Sequence, residues 1–153
     1  MSSTYTTNTG IEKPATGDRS GTWGTMTNTN MDLIDQALVT AAATGSTGSP
    51  NTLPITNGSV SNGRNRIIKI VDGGDLGGTV YYQITPNDAE RYLWIENGLS
   101  GSRSILLFQG TYNASNDIEV PAGKTKLVRS DGAGSGAVVV EVAANLAVTG
   151  SYQ

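Results

Sequence analysis

Two apolar segments joined by a glycine-rich turn read RYLWIENGLSGSRSILLFQ over residues 91–109 and decide the fold class. Aromatic and β-branched residues, which favour strands, fill both segments, and Asn97-Gly98 is typical of a turn. Apolar runs with the same kind of Gly, Asn, Asp and Pro punctuation recur from residue 64 onward. The predicted strands are 66–71, 79–85, 91–96, 103–109, 117–120, 124–130, 137–143 and 146–149. Their regular spacing predicts a mainly β fold, with a small antiparallel β-sandwich domain over residues 64–153.

Some of these strands are apolar on both faces. In Leu93-Trp94-Ile95 and in Ile105–Phe108, neighbouring side chains are all hydrophobic although they must point to opposite sides of the sheet. One side is expected to fill the core. The other side is expected to meet a covering segment or a neighbouring subunit.

A helix is predicted upstream, over residues 29–44, with Asn30 near its start and Gly45 as its stop. Apolar residues recur in it at spacings of three, four and three, at Met31, Ile34, Leu38 and Ala41. This narrow stripe is typical of helices that pack against one another, and so short a helix is marginal alone in water. The stripe is therefore predicted to be an oligomer interface, with packing on its own domain as the alternative. Residues 45–63, rich in Gly, Ser and Pro, are predicted to be a linker.

Residues 1–28 are predicted to be an extended arm, because Gly, Thr, Asn and Pro dominate them and apolar side chains are sparse. Trp23 stands in this polar segment, beside Gly24. A large aromatic residue is costly to leave in water. The arm is therefore expected to become ordered against another protein.

The order of residues along this segment also carries a family resemblance. Its positions are Gly10, Glu12, Lys13, Pro14, Gly17, Trp23, Gly24, Asn28, Asn30, Ile34 and Asp35. They resemble the N-terminal attachment segment of tail-fibre and other virion structural proteins of tailed bacteriophages. The resemblance implies attachment to a phage tail or baseplate through Lys13, Pro14, Trp23 and Gly24. More weakly, the turns around residues 118–132 are similar to those of small β-sandwich modules in phage fibre and baseplate proteins.

Composition excludes several function classes. The 153 residues include no His and no Cys, which removes the usual general base, the commonest metal ligand and thiol chemistry. The net charge of −3 predicts no nucleic-acid partner, and no apolar run approaches the roughly 20 residues that span a membrane. No enzyme activity, cofactor or metal site is predicted, although calcium is left open.

The chemical motifs have simpler interpretations. Gly123-Lys124-Thr125 matches the end of a phosphate-binding loop, but Ile118 stands where that loop requires Gly, so a turn is expected. Asp72–Asp75 and Asp131-Gly132 are also predicted to be turns, since neither has the ligand pattern of a calcium loop. The candidate catalytic carboxylates, which no spacing pairs, are Asp88, Glu90, Glu96 and Glu119. The strand aromatics, expected in the core or an interface and alternatively on a glycan-binding surface, are Tyr81, Tyr82, Tyr92, Trp94 and Tyr112.

Together these patterns predict a non-enzymatic virion protein, a short homotrimeric tail fibre or fibre connector. Its arm would dock on the tail or baseplate, and its helix would bring three chains into register. Two alternatives remain at this point. One is a module that binds a host-surface glycan, and the other is a head-decorating capsid fibre.

Overall fold

The computed structural model describes residues 2–47, 50–72 and 77–144. Within these ranges the chain forms one α-helix, α1 (Trp23–Leu38), and eleven strands. The strands are β1 (Thr4–Tyr5), β2 (Glu12–Lys13), β3 (Thr40–Thr44), β4 (Asn51–Pro54), β5 (Ile67–Val71), β6 (Val80–Thr85), β7 (Arg91–Gly98), β8 (Ile105–Gln109), β9 (Ile118–Val120), β10 (Thr125–Ser130) and β11 (Val139–Glu141). The predicted mainly β fold is confirmed. The strand predicted at 146–149 lies outside the described residues.

Two sheets account for most of the strands. The larger has the order β11-β10-β7-β5-β3, the smaller has the order β4-β6-β8-β9, and β1 and β2 form a separate hairpin. One hydrophobic cluster contains buried residues from both sheets, with Ile68, Ile70 and Ile95 from the larger sheet and Tyr82 and Leu107 from the smaller. The two sheets therefore share a single core.

Parallel pairing is the main difference from the predicted antiparallel domain. From β3 to β8 the chain alternates between the sheets, and the neighbouring strands of these six are parallel. In the larger sheet Thr40 lies beside Ile67 and Ile67 beside Trp94, so each step spans 27 residues. The chain therefore winds three times around the core, and each winding contributes one strand to each sheet. Within the two sheets, antiparallel pairing is confined to the last strands: β9 pairs with β8, β10 with β7, and β11 with β10.

The helix is shifted relative to its predicted range of 29–44. It begins at Trp23 and ends at Leu38, and Thr40–Thr44 form β3, which pairs with β5. The side-chain amide of Asn65 donates to the carbonyls of Gln36 and Val39 at 2.8 and 2.9 Å, which satisfies groups that end the helix. Ladder pairing with β5 thus overrides the high helix propensity of the alanines in this segment. Ala41 consequently lies in a strand and not on the predicted helical stripe.

The predicted linker is also wrong in part, because it contains a strand of the smaller sheet. Leu53 of β4 is fully buried in the core. Gly63 packs so closely on this strand that a Cβ there would lie 2.3 Å from the Leu53 carbonyl oxygen. Pro54 ends β4, an edge strand, where the missing N–H of proline is tolerated. The Gly, Ser and Pro composition, which predicted a linker, concealed the strand at Asn51–Pro54.

The role of β4 can be tested with one pair of substitutions. Leu53→Ala should lower the free energy of unfolding by about 2–5 kcal/mol, because it removes buried methyl groups and leaves a cavity. Thr52→Ala, at the exposed neighbouring position of β4, should cost less than about 1 kcal/mol. Urea denaturation of both variants measures the difference. Equal, small effects would contradict the placement of β4 in the core.

Candidate interaction surfaces

An uncovered apolar stripe runs along α1. Its members are Trp23, Met31, Ile34 and Leu38, with exposed fractions of 66%, 60%, 45% and 63%. At 3.6 residues per turn these side chains fall within an arc of about 80°. We call this surface the helix stripe. Leu33, on another side of α1, is buried and packs on the same chain. The helix therefore contacts its own domain while one apolar face stays open in the single chain.

The N-terminal segment is folded onto the domain and is not the predicted extended arm. β1 and β2 pair as an antiparallel hairpin, with Tyr5 beside Glu12. The side-chain amide of Asn30 in α1 exchanges two hydrogen bonds with the backbone of Glu12, at 3.0 and 3.1 Å. The Gly58 amide donates to the Gly10 carbonyl at 2.8 Å. Hydrogen bonds from the backbone and from polar side chains therefore hold the N-terminal segment in place, although it buries little apolar surface.

A buried arginine connects this segment to the rest of the chain. The Arg64 guanidinium donates to the carbonyls of Thr9, Thr56 and Ser59 at 2.7–2.8 Å and to Oε1 of Gln36 at 3.1 Å. It thereby joins the arm, the loop after β4 and the helix. Burial lowers the pKa of Arg64 from its ordinary value. Sequence reasoning missed this residue, since no local pattern distinguishes it from a surface arginine.

The four predicted attachment residues lie in two places. Lys13 and Pro14 are exposed at the end of the β1–β2 hairpin. Trp23 and Gly24 are the first two residues of α1 and are also exposed. Of the predicted oligomer residues, Met31, Ile34 and Leu38 share the helix stripe with Trp23. The structure thus brings the predicted attachment tryptophan and the predicted oligomer residues onto one surface.

The outer face of the larger sheet carries a second uncovered surface. Trp94 lies beside Ile67 of β5 on one side and Leu127 of β10 on the other, and Tyr92 lies beside Arg129. Tyr92, Trp94 and Ile67 are exposed large side chains. We call these five residues the outer patch. For β7, the second apolar face is therefore open within the single chain.

The other predicted aromatics differ in exposure, since Tyr81 is half-buried and Tyr112 is 41% exposed. Tyr82 is buried in the core, and burial raises the pKa of its hydroxyl to about 12. Tyr112 packs edge-on against Tyr81 and Phe108, with ring centroids 5.3 and 5.2 Å apart. Phe108 is buried as a result. A segment of the same chain thus covers Phe108 on the second face of β8, as one of the two expectations stated.

The carboxylates singled out in the sequence have separate partners. Glu90 pairs with Arg129 at 2.6 Å, and Glu96 pairs with Lys69 at 2.8 Å. Oε1 of Glu119 accepts a hydrogen bond from the Ser104 hydroxyl, and Asp88 is exposed. Three of the four candidates are thus engaged by different cations or hydroxyls.

The glycine-containing motifs form turns. Thr125 begins β10, so a strand and not a helix follows Gly123-Lys124. Oδ1 of Asp131 accepts hydrogen bonds from the amides of Ala133 and Val138, both at 3.1 Å. Of the other acidic motif, residues 73–75 lie outside the described ranges. No group of three or more metal-ligating side chains is present among the residues that the structure describes.

The chain matches no protein-family model, no curated protein and no solved structure. In the described part of the chain, no helix is long and apolar enough to cross a membrane.

The tether formed by Arg64 can be tested by hydrogen exchange. In Arg64→Gln the Gly58 amide, which bonds to Gly10 of the arm, should lose protection by roughly tenfold or more, because several carbonyls lose a charged donor. Arg19→Gln removes only the ion pair with Glu12 and should leave Gly58 unchanged. Protection of the Ile68 amide reports whether the core stays folded. Unchanged exchange at Gly58 in Arg64→Gln would contradict the tether.

Proposed function

We propose that the protein is a non-enzymatic structural component of a tailed-phage virion, a short homotrimeric tail fibre or a connector of such a fibre. It docks on the tail or baseplate through its N-terminal segment. The observation that carries the proposal is the helix stripe, which lies within the segment that resembles phage attachment sequences. The β-domain formed by strands β3 to β11 serves as the distal body.

Self-association would bury the exposed side chains of the helix stripe. Four large apolar side chains within one arc would remain in water in a single chain, and exposed apolar patches mark interaction sites. Met31, Ile34 and Leu38 follow the three-then-four spacing by which helices pack side by side. Packing of the same helix from three copies buries Met31, Ile34 and Leu38 at once, whereas Trp23 is assigned to attachment. Closed rotational symmetry then limits assembly to a defined oligomer.

Attachment is assigned to the exposed end of the same region. Lys13 and Pro14 lie on a hairpin that is already fixed to α1 through Asn30, and Trp23 begins the helix. A segment held in one conformation loses less entropy when it binds than an extended arm would lose. In this proposal Trp23 is the apolar anchor, and the lysine lies at the rim of the contact.

The outer patch favours a second candidate function, recognition of a host-surface glycan by the β-domain. Tyr92 and Trp94 present aromatic surface on one sheet face, and Arg129 beside Tyr92 supplies hydrogen-bond donors. Amphipathic aromatic rings suit surfaces that are part apolar and part wet, as sugar rings are. This candidate is compatible with the fibre role, because a fibre body and a receptor contact can occupy different faces.

The assembly proposal predicts a stable trimer. Wild-type protein should sediment at equilibrium as three copies that persist at micromolar concentration. Ile34→Glu should dissociate it, because burying three unpaired carboxylates in one interface is costly. Asn28→Glu adds the same charge at an exposed helix position outside the arc of the stripe and should leave the trimer intact. A monomeric wild-type protein would remove the fibre proposal.

The attachment proposal predicts different behaviour for Trp23. Truncation of a buried interface aromatic commonly costs about 2–4 kcal/mol, so Trp23→Ala should sharply reduce incorporation into phage particles. Lys13→Ala should reduce it less, since rim charges contribute little. A complementation assay compares the amount of protein in purified particles with the melting temperature of the free variant. Full incorporation of folded Trp23→Ala would exclude Trp23 as the anchor.

A further inference from the structure

Three arginines converge on one cavity between the arm, the end of α1 and the start of β7. Arg64, Arg66 and Arg91 line it, together with Asn8, Glu90 and Tyr92, and its volume is about 190 Å³. We call it the arginine cavity. One water occupies roughly 30 Å³ in the liquid, so the cavity has room for a group of several heavy atoms.

The charges around this cavity are unbalanced. Arg64 and Arg91 have exposed fractions of only 4% and 7%, and neither forms an ion pair with a residue that the structure describes. Glu90 is the one carboxylate among the lining residues, and it pairs with Arg129 at 2.6 Å. Buried charges are normally paired, because an isolated charge is costly to remove from water.

Arg91 also has an unused donor. Its Nη2 atom donates to the Gly63 carbonyl, whereas its Nη1 atom is buried without a hydrogen-bond partner among the described residues. Burial, together with the neighbouring charge of Arg64, lowers the pKa of Arg91 to about 10. Arg64 differs, because backbone carbonyls and Gln36 occupy its donors. Arg91 is therefore the arginine whose environment lacks an acceptor.

We propose that the arginine cavity binds one oxyanion group, the shared chemistry of a carboxylate, a sulfate and a phosphate, between the guanidinium groups of Arg91 and Arg66, both of which line it. Such a group supplies the missing negative charge beside the buried guanidinium groups of Arg64 and Arg91. Guanidinium groups match the planar geometry of these anions and form strong charge-assisted hydrogen bonds with them. Arg66 is exposed, so it is free to close on a ligand that enters from solvent. The site is separate from the helix stripe and does not depend on the proposed role in the virion.

Nuclear magnetic resonance titration of the full chain tests the site. The probes are inorganic phosphate, sulfate and glucuronate, with glucose as the uncharged match to glucuronate, all at one ionic strength set with chloride. The expected result is saturable shifts of the Arg91 and Tyr92 amides with at least one oxyanion and none with glucose. Arg66→Gln should weaken that binding by roughly tenfold or more, because it removes a charge-assisted donor. Arg91→Gln should abolish it.

The control is Lys124→Gln, which removes one positive charge from an exposed turn near the opposite end of β7 and should leave binding unchanged. Binding of inorganic ions alone would assign the site to a free anion, and binding of glucuronate would assign it to an acidic sugar. Either supports the proposal. The absence of saturable binding, or binding that survives Arg66→Gln undiminished, overturns it. If Arg91→Gln does not fold, the Arg66→Gln variant still tests the site, because Arg66 is exposed.

Discussion

Parallel pairing between successive turns of the chain is the constraint on which the rest of the structure depends. Thr40, Ile67 and Trp94 lie side by side, so every residue of β3, β5 and β7 has its face fixed by this register. A slip of one residue would turn Ile68 and Ile70 out of the core and Ile67 into it. The same register therefore sets the core and the composition of the outer patch. It also makes β3 the edge strand, and α1 leads into β3 with one residue between them.

Polar contacts extend this order to the N-terminal region, which has little apolar area of its own. Arg64, in the connection between β4 and β5, fixes the arm and the helix through carbonyl and amide acceptors. Asn65, the next residue, ends the helix where β3 must begin. The consequence is a concentration of positive charge, because Arg91 lies close enough to Arg64 to feel its field. The burial of Arg64 therefore both fixes the arm and places positive charge beside Arg91 in the arginine cavity.

The sequence predicted the positions of the strands better than their pairing. Seven predicted strands from 66 to 143 overlap β5 to β11, because apolar runs and turn residues mark a strand whatever its partner. Parallel order escaped prediction because no sequence repeat is visible: paired residues are 27 apart in the larger sheet but 31 and 25 apart in the smaller one. Ala41 was wrongly placed on a helix because it continues the apolar spacing of Met31, Ile34 and Leu38, and pairing with β5 decided otherwise. Leu53 was hidden by the prolines around it.

Of the candidate surfaces, the helix stripe could be predicted from the sequence and the arginine cavity could not. Periodicity alone identified Met31, Ile34 and Leu38, and all three are exposed on one side of α1, although their oligomeric role stays a prediction. The arginine cavity could not be found in this way. Arg64 and Arg66 are near one another in sequence, but Arg91 reaches them only because β7 pairs with β5. Sites assembled by long-range pairing leave no local signal.

The central claim, that the helix stripe joins copies of this chain, is open to a direct measurement. The chain has no cysteine, so Ile34→Cys introduces a unique thiol on the stripe and Asn28→Cys a unique thiol outside it. A disulfide forms only when the two Cα atoms come within about 7 Å. On mild oxidation of the purified protein, Ile34→Cys should form covalently linked chains rapidly, and Asn28→Cys should not. Failure of Ile34→Cys to crosslink, or equal crosslinking at the two positions, would contradict the account.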